Sequence, residues 1–195
     1  QAGGQTMSEG NAPRALDLFC GAGGASVGLH RAGFHVTGLD IVDQPNYPFD
    51  FIRADATRFP VRGYSFVWAS PPCQAFTAYK RRADHVRPRA NLIPIVRDRL
   101  RAEGVPHVIE NVVDAPLESP SLLCGSMFGL DVRRHRHFET NFAMLTPSCN
   151  HTWQTARFPP ATNRKNLRCT VEVGVWRIPL SVQHRAMGID WMTLE

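Results

Sequence analysis

The 195-residue sequence lacks long apolar runs and contains very little lysine. No stretch of about 18 uncharged apolar residues occurs, so we expect a soluble protein with no membrane partner. Only Lys80 and Lys165 are lysines, so arginine supplies nearly all of the positive charge. Internal repeats and low-complexity tracts are also absent, and a chain of this length can bury one hydrophobic core without disulfides or metal.

The five cysteines are not accompanied by a secretory segment. We therefore expect reduced thiols and a cytoplasmic location, either in a bacterium or in a phage-infected host cell. Residues 1–10 are small and polar and include an internal Met7, which predicts an expression remnant without ordered structure. The net charge of +5 favours an anionic partner, but it does not distinguish nucleic acid from a solvated basic surface.

Short apolar runs alternate with turns and helical stretches, which is typical of an α/β fold with a mostly parallel sheet. Strands are predicted at Ala15–Leu18, Val36–Leu39, Phe66–Ala69 and His107–Ile109. Helices are predicted at Gly24–Ala32, Ile93–Ala102 and Ser119–Phe128, each closed by a glycine. The pattern becomes irregular after about Thr140, returns near Val171–Ile178, and ends with an amphipathic turn at Ser181–Met187.

A glycine-rich stretch, DLFCGAGG at positions 17–24, follows the first predicted strand and opens a helix. Glycines let the backbone turn tightly and approach a ligand, whose polar groups can meet the helix amides. Asp40 ends the next strand, where a carboxylate can bind ribose hydroxyls. Asp55, placed at the end of a third strand, is either an adenine contact or a plain loop carboxylate. Together these residues predict a nucleoside site, although a purely structural glycine turn is the alternative.

Two further motifs lie at strand ends, where open α/β sheets bind ligands. In SPPCQAFT, two prolines hold the approach to Cys73 rigid, and polar and basic neighbours favour a reactive thiolate over an inert buried thiol. In ENV, Glu110 stands beside a neutral amide, which suits proton donation or hydrogen bonding to a heterocycle nitrogen. A fourth motif, VRRHR at 132–136, concentrates cations that alone would indicate a solvated face.

The four motifs in this order resemble those of the cytosine-C5 methyltransferase family, and the small size resembles its compact phage and bacterial members. The similarity runs from about Ala15 to Phe138 and faintly from Arg177 to Trp191. It implies a Rossmann-like S-adenosylmethionine-dependent methyltransferase fold with a small irregular insertion. We expect a catalytic domain at 13–138, a short target-recognition region at 139–177 and a return to the catalytic domain at 178–195.

The resemblance implies a covalent DNA cytosine-5 methyltransferase. Cys73 would add to cytosine C6, Glu110 would hold or protonate N3, Arg136 would contact O2, and Arg134 would support the site. S-adenosylmethionine would give up its methyl group and leave as S-adenosylhomocysteine. The cofactor pocket would be lined by Phe19, Gly21, Ala22, Gly23, Gly24, Asp40, Ile41, Asp55, Ala56 and Pro72.

The implied partner is double-stranded DNA, from which the target base must be flipped out. The basic stretch after Cys73 suits a phosphate-gripping lid, with a solvated loop as the alternative. Asn111 would position the catalytic loop. The DNA-contacting candidates are Gln74, Thr77, Lys80, Arg81, Arg82, Asn111, Arg164, Lys165 and Arg168.

Two rival functions stay open. One is a tRNA cytosine-C5 methyltransferase, since such enzymes share the PPCQ and ENV arrangement. The other is a catalytically silent DNA-binding module, because the family's last segment, with an asparagine beside the glycine turn, is not found. We therefore expect a truncated chain, a separate chain that supplies this segment, or weak cofactor binding, and otherwise a monomer.

Cys124, Cys149, His151 and Cys169 raise the question of a zinc site. The C-x-H spacing of Cys149 and His151 is not a standard ligand pair. We therefore expect ordinary buried cysteines and no bound metal.

Overall fold

The computed structural model describes residues 12–76, 90–152, 154–155, 168–169 and 180–187. The chain divides into two compact units. The first comprises Gln1–Pro72 with Arg89–Ile109, and the second comprises Cys73–Pro88 with Glu110–Glu195. Within each unit, the structure describes the residues just given. Within these residues, no helix has both the length and the apolar character needed to cross a membrane.

The first unit is built on parallel strands. Its elements are β1 (Arg14–Leu18), α1 (Gly24–Arg31), β2 (His35–Asp40), β3 (Asp50–Arg53), β4 (Phe66–Ala69), α2 (Ile93–Glu103) and the start of β5 (His107–Asn111). The strand order is β3-β2-β1-β4-β5, and each neighbouring pair is parallel. This order reverses direction between β1 and β4, which is the Rossmann arrangement, and so the predicted fold class is confirmed.

Apolar runs explain why these strands form and where they lie. Leu16, Leu18 and Leu39 are almost completely buried, as expected of strands covered on both faces. Leu29 of α1 packs with Ala15 and Val36, so one face of the helix covers β1 and β2. These contacts hold the carboxyl ends of the strands in register at one edge.

Both helices of this unit end close to the predicted positions. Pro94 occupies the first turn of α2, where its missing N–H costs nothing. Gly104 then ends the helix in the left-handed conformation, with φ of 64°. Three of the buried α2 residues, Ile93, Val96 and Leu100, recur at helical spacing and form its inner stripe.

The second unit contains an antiparallel pair, β6 (Ser121–Cys124) with β7 (His135–Thr140). It also contains 3-10 turns at Cys73–Ala75 and Gly125–Phe128, the two-residue parallel strands β8 (Gln154–Thr155) and β9 (Arg168–Cys169), and α3 (Leu180–Met187). Residues 141–152 contain neither helix nor strand, in agreement with the irregular pattern seen in the sequence. Most of the predicted target-recognition stretch lies outside the described residues, so its boundaries stay a prediction.

The predicted helix at Ser119–Phe128 is wrong. Ser119 has a positive φ of 43°, and Pro120 follows it without an amide hydrogen, so a regular helix does not start there. The apolar run Ser121–Cys124 pairs with β7 instead. At Gly125 a side chain would meet the carbonyl oxygen of Val132 at 2.2 Å, so this close approach of two backbone segments requires glycine.

Candidate active site

The glycine turn after β1 has the geometry of a ligand-binding loop. Phe19, Gly21 and Gly23 all have positive φ, at 61°, 48° and 92°. For Phe19 this backbone costs about 1–2 kcal/mol, and strain of this kind concentrates at functional sites. The Cys20 and Gly23 amides donate to the carbonyls of Leu39 and Cys20, which fixes the turn, and Gly24 begins α1 directly after it. The turn therefore leads straight into the amino end of a helix, where ligands commonly bind.

Asp40 stands beside this turn, as the sequence predicts. Its Oδ2 accepts a hydrogen bond from the Gly21 amide at 3.1 Å, and its Oδ1 accepts one from the Val42 amide at 3.0 Å. Each carboxylate oxygen has more than one lone pair, so ribose hydroxyls can still donate to it. Ile41 is 66% exposed and offers an apolar surface next to the carboxylate. The carboxylate and the exposed apolar side chain together suit a nucleoside.

Asp55 shapes the turn after β3. Its Oδ1 accepts hydrogen bonds from the backbone amide and the hydroxyl of Thr57, at 2.9 and 2.7 Å. The hydroxyl bond is the main reason that the pKa of Asp55 is lowered, so it is a carboxylate at neutral pH. Its Oδ2 lies 3.8 Å from Arg58 Nε and faces solvent. Asp55 is therefore a turn-capping carboxylate that still presents an acceptor.

Ala56 and Pro72 differ in how they can contribute to a pocket. The Ala56 side chain is buried, and its carbonyl accepts a hydrogen bond from Arg99 Nη1 at 2.8 Å, so it can offer a ligand only its backbone. Pro72 follows β4 and is half-buried. The Ser70 amide donates to Leu18 O at 3.1 Å, which ties the end of β4 to the end of β1 at the point where the strand order reverses. Pro72 thus lies just beyond that switch point.

The sequence analysis missed a buried polar network under the glycine turn. Ser26 donates to the buried carboxylate of Asp17, and its hydroxyl lies 2.6 Å from that of Tyr47. Burial raises the pKa of Tyr47, which keeps the phenol protonated and able to donate. Only glycine fits at Gly38, since a Cβ there would lie 2.2 Å from Cζ of Tyr47. A glycine inside a predicted strand was the available signal.

Cys73 opens the 3-10 turn that follows the two prolines, and it is half-buried. Its carbonyl accepts a hydrogen bond from the Phe76 amide at 2.9 Å, which closes the turn. Gln74 is exposed on the same turn. A short hydrogen-bonded turn therefore carries this thiol, which is only partly buried.

Glu110 and Arg136 form an ion pair. Arg136 Nε lies 3.0 Å from Glu110 Oε1. The side chain of Arg136 is 25% exposed and that of Glu110 is 20% exposed. Arg136 Nη1 also donates to the carbonyl of His135 at 2.8 Å. The carboxyl group at the end of β5 is thus held by a guanidinium at the start of β7.

Arg134 lies within electrostatic reach of the other three predicted catalytic residues. Burial lowers its pKa and the charge of Arg136 lowers it further, whereas the charges of Glu110 and Cys73 raise it. The structure therefore brings Cys73, Glu110, Arg134 and Arg136 into one neighbourhood of the second unit, and their catalytic roles stay a prediction.

Cys20 contrasts with Cys73. It lies in the first unit within the glycine turn, and burial together with the nearby Asp17 and Asp40 charges raises the pKa of its thiol to about 12. Cys20 is therefore a protonated packing residue at neutral pH and a poor nucleophile.

The predicted DNA-contacting residues are placed unevenly. Gln74 is exposed, whereas the Asn111 side chain is buried and its Oδ1 accepts a hydrogen bond from the Val112 amide at 2.9 Å. Asn111 therefore shapes the end of β5 rather than presenting its side chain to DNA. Arg168 is described only as a backbone position of β9. The remaining candidates lie outside the described residues: Thr77, Lys80, Arg81, Arg82, Arg164 and Lys165.

Comparisons with known proteins rest on structure, since no family model and no curated protein matches the sequence. One solved structure, of an Escherichia coli protein assigned as a DNA modification methyltransferase encoded within a prophage, is 20% identical with a TM-score of 0.50, over 65% of this chain and 45% of that chain. A mutant of DNMT2 from Spodoptera frugiperda is also 20% identical, with a TM-score of 0.51, over 82% of this chain and 55% of that chain.

This chain spans about half the length of those two structures. At this level of identity the likeness concerns the fold alone. The chain therefore has the Rossmann-like α/β fold found in these methyltransferases.

Proposed function

We propose that this chain is an S-adenosylmethionine-dependent DNA cytosine-C5 methyltransferase that acts through a covalent Cys73 adduct. The observation that carries the proposal is the convergence of Cys73, Glu110, Arg134 and Arg136 in one unit. The DNA and DNMT2 methyltransferases of the same fold support it.

The first unit fits the cofactor. Its glycine turn leads into the amino end of α1, Asp40 offers carboxylate oxygens at that turn, and Ile41 offers an exposed apolar face. These are the groups that a nucleoside needs: donors, a hydroxyl acceptor and a surface for the base. When bound, S-adenosylmethionine supplies an electrophilic methyl group to the reaction.

The residues of the second unit would activate the cytosine. Cytosine C5 is a poor nucleophile, so Cys73 Sγ forms a bond to C6 while Glu110 protonates or holds N3, which makes C5 electron-rich. Arg136, which pairs with Glu110, would contact O2 of the same ring. After C5 is methylated, loss of its proton to a base and cleavage of the Sγ–C6 bond release the thiolate and restore aromaticity.

Arg134 would support both reacting groups, because this buried cation interacts electrostatically with Cys73 and with Glu110.

Transfer of labelled methyl groups to duplex DNA and to tRNA tests this proposal. We expect transfer to duplex DNA and none after Cys73→Ala, with bisulfite sequencing of coexpressed plasmid to read the methylated sites. Transfer confined to tRNA would replace the substrate, and DNA binding without any transfer would indicate a silent binding module.

A further inference from the structure

A group of thiols and imidazoles in the second unit, outside the proposed catalytic residues, has the composition of a metal site. It consists of Cys124, His135, Cys149 and His151 and is called the Cys2His2 cluster below. One ligand atom from each residue lies within 4.8 Å of every other. Among the described residues, this is the one group of three or more potential metal-binding side chains whose ligand atoms lie this close together.

The distances within the Cys2His2 cluster are close to those of a tetrahedral zinc centre. His151 Nε2 lies 3.4 Å from Cys124 Sγ and 3.0 Å from Cys149 Sγ, and His135 Nε2 lies 3.3 Å from Cys149 Sγ. Zinc bonds of about 2.3 Å to sulfur and about 2.0 Å to nitrogen place tetrahedral ligands roughly 3.3–3.8 Å apart. Two of the three distances fall in this range, and the other ligand atoms lie within 4.8 Å of one another, so small side-chain shifts would complete the site.

The four candidate ligands form two pairs, and a different part of the backbone carries each pair. Cys124 and His135 face each other directly across the antiparallel β6–β7 pair. Cys149 and His151 come from one short turn, in which Asn150 Oδ1 accepts a hydrogen bond from the Thr152 amide at 2.9 Å. Ser126 Oγ lies 3.4 Å from Cys149 Sγ, where it can donate to a metal-bound thiolate and fix its orientation.

We propose that the Cys2His2 cluster binds one structural Zn²⁺. Two thiolates and two imidazoles form a closed tetrahedral set that leaves no position for water, which is the hallmark of a structural rather than a catalytic site. Thiolate ligands select zinc over calcium and magnesium, which prefer oxygen. The expectation of ordinary buried cysteines is wrong for Cys149, which is exposed, free and surrounded by imidazoles.

The metal would fasten the 149–151 turn to the β6–β7 pair. His135 lies between Arg134 and Arg136, two of the predicted catalytic residues, so the ion would also hold the backbone that carries them. Zinc binding and covalent catalysis nevertheless depend on different side chains. The site is therefore testable independently of the proposed methyl transfer.

Metal analysis of the full chain tests the inference directly. Protein purified without added zinc and without chelators should contain about one zinc per chain. Cobalt substituted for the zinc should give the intense visible absorption of a tetrahedral ion with thiolate ligands. A chain without zinc that also fails to take up zinc or cobalt after reduction, or a Cys124–Cys149 disulfide under the same conditions, would overturn the proposal.

Substitutions identify the ligands and separate them from the catalytic residues. Cys149→Ser and His135→Ala should each lower the zinc content at least severalfold. Cys73→Ser and His137→Ala, the latter two positions further along β7, should retain it. Cys169→Ser should also retain zinc, and loss of metal in that variant with retention in His135→Ala would contradict the assigned ligand set.

Discussion

The side chains assigned to the reacting base come from three short stretches of the second unit. Cys73 opens a 3-10 turn, Glu110 lies in β5, Arg136 lies at the start of β7, and Arg134 immediately precedes that strand. Each stretch was recognisable in the sequence because its motif is local. What the sequence could not reveal was the pairing of Arg136 with Glu110, since that contact depends on tertiary structure.

Glu110→Gln tests whether the carboxyl group acts on the base or only holds Arg136. The amide can still accept a hydrogen bond from Arg136 but cannot protonate N3, so we expect methyl transfer to fall roughly 100- to 10,000-fold. Single-turnover kinetics measure the effect, and Glu103→Gln at the exposed end of α2 is the matched control. Activity within a few fold of wild type would assign Glu110 a structural role only.

The raised pKa of Cys20 predicts that this thiol resists alkylation. A pKa raised from 9.0 to about 12 lowers the thiolate fraction at pH 8 by about a thousandfold, because each pKa unit changes it tenfold. Iodoacetamide followed by peptide mass spectrometry should leave Cys20 unmodified in the native protein and modify it in denaturant. Equal modification rates in both states would show that the thiol is not buried as described.

At the level of helices and strands, glycines and apolar runs identified β1, β2, β4, β5, α1 and α2 closely. The prediction of a helix at Ser121–Cys124, where the structure has a strand, was wrong for a general reason. A run of four apolar or small residues fits a strand or a buried helix equally well. Only its partner strand decides between them, and β7 was hidden within a motif that looked like a cluster of cations. Tertiary pairing thus overrode the local signal.

The contact between Gly38 and Tyr47 predicts a specific packing cost within the first unit. In Gly38→Ala the new methyl group would overlap the Tyr47 ring and displace it from Ser26, so we expect a loss of about 1–3 kcal/mol in the free energy of unfolding. Chemical denaturation measures the change. Gly28→Ala in α1 is the control, since open space surrounds that position and alanine favours a helix by about 0.5–1 kcal/mol.

A double-mutant cycle completes this test. Adding Tyr47→Ala to Gly38→Ala removes the overlap, so the two substitutions should be less destabilising together than the sum of their separate effects. Additive effects would mean that the ring does not lie over Gly38.

At the scale of the whole molecule, the sequence predicted the fold class because short apolar runs alternate with helical stretches, and the four-motif resemblance implied the Rossmann-like arrangement. The Cys2His2 cluster was harder to predict. Cys124 and His135 are separated along the chain and meet only through the β6–β7 register, and His135 stands between two arginines that drew attention to charge. A ligand pair formed across strands leaves no fixed sequence spacing.

The residues proposed to bind the cofactor belong to the first unit, and those proposed to activate the base belong to the second. The central claim is the bond between Cys73 and cytosine C6. Duplex DNA in which 5-fluorocytosine replaces a fraction of the cytosines tests it without knowledge of the recognition sequence, since fluorine at C5 cannot leave as a proton does.

With S-adenosylmethionine present, we predict a protein–DNA complex that survives denaturing electrophoresis and maps to Cys73 by peptide mass spectrometry. Cys73→Ser should abolish this complex while leaving noncovalent binding intact. DNA binding by the wild-type chain that is lost completely on denaturation, under conditions where the same preparation methylates unmodified DNA, would contradict the covalent mechanism.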